Sequence, residues 1–99
     1  MTINKTQENE KLILALEGRL DTISSPQLQE ILLPALEGGA CVELDFAKLA
    51  YLSSAGLRIL LLGEKTAKEK GGSMKVLNVS EEIKEVFDMT GFSDMLNIE

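Results

Sequence analysis

The sequence predicts an α/β domain: a mixed four-stranded sheet in the order β-β-α-β-α-β-α, with helices packed on it. Three observations predict this. Residues Ala40–Phe46 (ACVELDF) alternate apolar and polar with period two, the period of a half-buried strand. Two longer segments, opening near Ser25 and Ser53, carry apolar residues at helical spacing, and each runs into a Gly-Gly pair. The apolar runs around them are short, as strands are. Strand–helix–strand units of this kind give parallel pairs with right-handed crossovers.

Each element follows in order. Ile3–Lys5 opens a first strand, and the polar stretch Gln7–Lys11 is a turn. Lys11–Gly18 is a continuous apolar run, the pattern of a central strand buried on both faces. The first two strands are close in sequence and form an antiparallel hairpin, with the first at the sheet edge. Ser25 is the expected N-cap of the first helix, with Pro26 at its first position, where a missing N–H costs nothing. Leu28, Ile31, Leu32, Ala35 and Leu36 form its stripe, and Pro34 predicts a kink or an early end. In the Ala40–Phe46 strand, Val42, Leu44 and Phe46 share one face; Ala47–Leu52 is a connector.

Ser53–Lys70 is the second helix, capped by Ser53 or Ser54. Leu57, Leu60, Leu61 and Ala67 face inward, and Glu64, Lys65, Lys68, Glu69 and Lys70 form the solvated side. Met74–Asn78 is the last strand. Ser80 caps a third helix with Glu81 and Glu82 in its first turn and Ile83, Val86 and Phe87 inward; Gly91 ends it. Phe92, Met95, Leu96 and Ile98 complete the core.

A length of 99 residues suits one domain, residues 1–99. With 44% hydrophobic and 26% charged residues, the composition is that of a folded globule. A net charge of −6 argues against nucleic acid and against an anionic membrane surface as partners. The single cysteine, Cys41, cannot form an intrachain disulfide, and its apolar run predicts a buried, inert thiol. No secretory leader and no apolar run of membrane-spanning length is present, so the expected location is cytoplasmic.

Histidine is absent, which excludes a Ser-His-Asp triad, a Cys-His pair and zinc sites built from Cys and His. The many carboxylates leave a glycosidase-type pair open, but 99 residues leave little room for a cleft beside a full core. Gly63-Glu64-Lys65-Thr66 lacks the first glycine of a phosphate loop and lies inside a predicted helix. No catalytic residue, cofactor or metal ligand is therefore predicted. The chain is expected to bind rather than to catalyse.

Residues 45–62 (DFAKLAYLSSAGLRILLL) carry the functional information. Ser53-Ser54-Ala55-Gly56 opens a helix. A serine there caps free backbone N–H groups. The same N–H groups favour an anion, and phosphorylation would add about −1.5 to −2 charge without disturbing the fold.

This segment resembles the signature of STAS domains, in particular the bacterial anti-sigma-factor antagonists typified by SpoIIAA. Their pattern is Asp-Ser-Ser/Thr-Gly-Leu after a short aromatic-apolar stretch. Here Tyr51-Leu52 precedes Ser53-Ser54-Ala55-Gly56-Leu57. Gly18-Arg19-Leu20-Asp21 is similar to the family's Gly-x-Leu/Ile-Asp, and Val86–Phe92 to its late helix and turn. The sequence departs from the pattern at Ser53, where Asp is usual, and at Ala55, where Ser or Thr is usual.

The resemblance implies a STAS fold and a binding module that sequesters an anti-sigma factor in a partner-switching pathway controlling sigma-factor activity. It implies a GHKL-type serine kinase as that anti-sigma factor and a serine phosphatase that reverses the modification. A monomer is expected, since no unpaired apolar stripe in the sequence demands a dimer. Ser54 falls on the phosphoacceptor position, with Ser53 as second candidate. The implied partner-binding surface is Asp21, Thr22, Ser53, Ser54, Ala55, Gly56 and Leu57, with Asp21 orienting the loop or Ser54 by hydrogen bonding. The alternative is a STAS scaffold or accessory subunit of a transport or signalling assembly in which Ser54 is an unmodified cap.

Overall fold

The computed structural model describes residues 1–99. Its elements are β1 (Thr2–Glu8), β2 (Lys11–Leu20), α1 (Ser25–Glu37), β3 (Cys41–Leu52), α2 (Ser54–Lys70), β4 (Ser73–Leu77) and α3 (Glu81–Thr90), followed by a 3-10 turn at Phe92–Asp94. The sheet order is β1-β2-β3-β4. β1 pairs antiparallel with β2, and β2–β3 and β3–β4 are parallel. This is the predicted mixed sheet.

The hairpin is tighter than the sequence suggests. Glu8 pairs with Lys11, so only Asn9 and Glu10 form the turn. Asn9 has φ 54°, a left-handed conformation that Asn tolerates.

The core lies on one side of the sheet. Leu12, Leu14 and Leu16 of β2, Val42, Leu44 and Phe46 of β3, and Met74 and Val76 of β4 meet the apolar stripes of the three helices in one cluster of 21 buried residues. β2 is therefore not buried on both faces. Ile13, Ala15 and Glu17 on its other face are only half-buried. The same parity corrects Cys41: with Val42, Leu44 and Phe46 turned inward, Cys41 faces outward and is exposed.

The predicted connector Ala47–Leu52 is strand. It continues β3 alongside Glu17–Leu20, with register shifts at Ala15/Glu17 and Gly18/Arg19. Such irregularities insert extra residues and break the two-residue period. The buried residues accordingly step from Phe46 to Leu49 to Leu52.

α1 also differs at its start. Its N-cap is Ser24, and Ser25 is the first helical residue. The helix passes Pro34 and runs on to Glu37. Pro34 cannot donate a helix hydrogen bond, but Leu36 beyond it is fully buried, and that burial carries the turn. Gly63 lets α2 approach its neighbours closely. A Cβ there would stand 2.9 Å from Met74 Sδ and 3.1 Å from Leu32 Cδ2.

Two further residues depart from expectation. Glu64 is not solvated: its side chain is 15% exposed and meets only Lys68, at 4.0 Å. Burial pushes its carboxyl above the usual range. Met95 is exposed, whereas Leu96 is buried in the core. Beyond Leu96 the chain lies along β4. The Val76 N–H donates to the Asn97 carbonyl, and the Glu99 N–H to the Val76 carbonyl, both at 2.8 Å. No helix is long and apolar enough to cross a membrane.

Candidate functional site

Arg19 and Leu20, at the end of β2, pair with Tyr51 and Leu52, at the end of β3. Both strands therefore deliver their following residues to the same end of the sheet. One bond ties the two exits together: the Ser53 N–H donates to the Leu20 carbonyl (2.9 Å). The segment Asp21–Ser24 and the start of α2 become neighbours.

Ser53 is the N-cap of α2. Its extended backbone turns the chain, and its hydroxyl accepts from the Gly56 N–H at 3.3 Å. Ser54 is the first helical residue, is exposed, and has no side-chain hydrogen bond. The two adjacent serines thus have different structural roles. Ala55 is half-buried, while Gly56 and Leu57 are buried. A Cβ at Gly56 would stand 2.7 Å from Leu52 Cδ1 and 2.8 Å from Leu20 Cγ. Gly56 and Leu57 therefore do not belong to the free surface expected from the sequence. They fix how closely α2 sits on the strand ends, and so where Ser54 stands.

The segment before α1 is held by its own hydrogen bonds. Asp21 Oδ1 accepts from the N–H groups of Ile23 (3.1 Å) and Ser24 (3.0 Å), the pattern by which Asp organises a turn. The Ser24 hydroxyl accepts from the Asp21 N–H (2.9 Å) and donates to the Arg19 carbonyl (2.6 Å). The Ser25 hydroxyl donates to the Asp21 carbonyl. The Ser24 N–H holds the Asp21 carboxyl below its usual range; burial opposes this, and the Ser24 hydroxyl, the Ile23 N–H and Arg19 reinforce it. Asp21 bonds only within its own turn, and none of its hydrogen bonds reaches Ser54.

This rigid turn presents Thr22 and Ile23 to solvent. Ile23 is 89% exposed. Beside it the Arg19 guanidinium lies 4.1 Å over the Tyr51 ring, and its Nε is 3.7 Å from Asp21 Oδ2. Sequence reasoning did not include Ile23, Arg19 or Tyr51 among the candidate residues. A signal for Ile23 was present: a large aliphatic side chain in a polar turn, outside either helical stripe.

A cavity of about 600 Å³ lies at the opposite end of the sheet, by Lys11, Cys41, Ser73 and Lys75, and no expected site residue lines it.

The sequence matches the family model described as "Mlab, STAS domain" over residues 3–97. The chain belongs to the STAS domain family. It is similar to the anti-sigma-B factor antagonist of Bacillus subtilis strain 168, 36% identical over 101 residues, covering 99% of this chain and 92% of the relative. Similarity to the anti-sigma-B factor antagonist of Staphylococcus epidermidis is 33% over 82 residues, covering 82% of this chain and 76% of that one. Among solved structures, the anti-sigma factor antagonist SpoIIAA in its unphosphorylated form superposes with TM-score 0.78 at 20% identity, over 99% of this chain and 87% of that one. The phosphorylated form of Bacillus SpoIIAA also gives 0.78, at 21% identity, over 99% and 91%. These two likenesses establish the fold. In this STAS domain the end of the sheet where β2 and β3 finish is thus a buried packing layer, Leu20, Leu52, Gly56 and Leu57, beneath an exposed one, Thr22, Ile23 and Ser54.

Proposed function

We propose that this STAS domain is an anti-sigma-factor antagonist, a binding module whose docking surface is switched by phosphorylation of Ser54. The observation that carries the proposal is the division of labour between the two serines. Ser53 caps α2, which leaves the exposed Ser54 hydroxyl with no structural bond to lose. A modifying enzyme can take that hydroxyl without unfolding the helix.

The names of the relatives support the antagonist reading. The equal TM-scores to phosphorylated and unphosphorylated SpoIIAA support a switch that acts on a surface rather than on the fold. The docking surface comprises Thr22, Ile23 and Ser54, rimmed by Asp21, Tyr51, Ser53 and Ala55 and supported from beneath by Gly56 and Leu57. The partner is an anti-sigma factor of the GHKL serine kinase type, which supplies the ATP and the catalytic groups. A serine phosphatase reverses the modification. The antagonist acts as a cytoplasmic monomer and catalyses nothing itself. Phosphate at the centre of the docked surface opposes binding, because a partner surface that fits a neutral hydroxyl must desolvate a dianion to close over it.

A pull-down from native lysate tests this, with wild-type, Ser54→Ala and Ser54→Asp baits read by mass spectrometry. Wild type and Ser54→Ala are expected to retain an anti-sigma factor that Ser54→Asp loses. If all three baits retain the same partners, the domain is an unswitched scaffold instead.

A further inference from the structure

A phosphate on Ser54 would meet the free N–H groups at the start of α2, and α2 also carries a cation at the right spacing. Arg58 is the only charged residue among the first ten of the helix, Ser54–Gly63. It is exposed and makes no ion pair and no side-chain hydrogen bond. Its neighbours at three and four residues' distance are Ser54, Ala55, Leu61 and Leu62, none of them acidic. Residues four apart on a helix share one face, about 5–6 Å between Cβ atoms. Long helical side chains lean toward the N-terminus, so Arg58 leans over the turn that carries Ser54. The order is also the favourable one, with the anion N-terminal and the cation four residues on. Arg19, the cation on the adjacent strand end, is already engaged by the Tyr51 ring and Asp21.

We propose that Arg58 is the intramolecular counter-ion of phosphoserine 54, holding the phosphate down along α2. The inference rests on the phosphoacceptor reading of Ser54. Its consequence is that phosphorylation makes two changes at once: it adds an anion to the docking surface and occupies an arginine one turn along α2 that the unmodified domain leaves free.

The test places phosphoserine at position 54 of the full chain by amber suppression and follows its second ionisation by phosphorus NMR. An arginine pair favours the dianion and draws the titration midpoint down. Wild type and Arg58→Lys are expected to titrate about 0.3 pH unit lower than Arg58→Gln, the size a surface pair at this spacing supports. Arg19→Gln should leave the midpoint near wild type; the other charge at this end, Asp21, is unchanged throughout. Equal midpoints for wild type and Arg58→Gln, or a shift with Arg19→Gln alone, would overturn the proposal. Because the phosphate is installed directly, the result is independent of whether a kinase uses Ser54, which the pull-down decides.

Discussion

Ile23 sits where the free energy of the unbound domain gains nothing from it. An aliphatic side chain 89% exposed contributes no burial. Its backbone is nevertheless held by the Asp21 carboxylate, and Ser24 and Ser25 pin the same turn on either side. An apolar side chain on a backbone that is already ordered spares the cost of ordering the loop on docking, which suits an interface anchor. Truncation by Ile23→Ala should therefore weaken binding of the anti-sigma factor captured by the wild-type bait by about tenfold or more. Thermal stability should stay within the range of ordinary surface substitutions, about 0.5 kcal/mol. Calorimetric titration and a melting curve read both. Unchanged affinity would remove Ile23 from the interface while leaving the Ser54 switch standing.

At the scale of the element, the start of α2 is defined from below. Gly56 allows the helix to rest on Leu20 and Leu52, and Gly56→Ala would drive a methyl to 2.7–2.8 Å from both. Ala is the better helix former by up to about 1 kcal/mol, so the sign of the net effect reports the packing. Overpacking of about 1–3 kcal/mol should win, giving lower stability in urea unfolding. A neutral or stabilising result would mean that α2 can lift without cost. The cap of α3 was legible in the sequence, and that of α2 was narrowed to Ser53 or Ser54, because caps are local: Ser53 and Ser80 each accept an N–H three residues on. The helical stripes were legible for the same reason, and the parallel pairing followed from the strand–helix–strand order; in the Ser53–Leu57 segment the helix start was legible, but the burial of Gly56 and Leu57 was not. The second half of β3 was not, since its pairing with β2 shifts register and the alternation that announces a strand disappears. Cys41 was misplaced because an apolar run does not reveal which parity faces the helices. Ile23 was not singled out because a lone aliphatic side chain in a polar turn is a weak signal until the turn is seen to close on Asp21.

For the molecule as a whole, the sheet has two edges, and they are protected by different means. β1 is almost entirely exposed and polar, with Lys5 at its centre; a charge there discourages pairing with another strand. β4 is shorter and more apolar, and the chain's own Asn97–Glu99 segment covers it through Val76, with Lys75 and Glu99 paired at 3.1 Å. That segment is tethered by Leu96, which is 5% exposed in the common core. Leu96→Ala should then have two effects that a core residue elsewhere would not combine. The lost burial and the cavity should cost about 2–4 kcal/mol in urea unfolding. Release of the segment should also open the Val76 backbone, giving faster amide exchange at Val76 and concentration-dependent association by light scattering. A variant such as Leu14→Ala should show the loss of stability without the association at matched stability. If the two variants associate alike, the covering segment is incidental and association follows loss of stability alone; if neither associates, the net charge of −6 is what keeps copies of the domain apart.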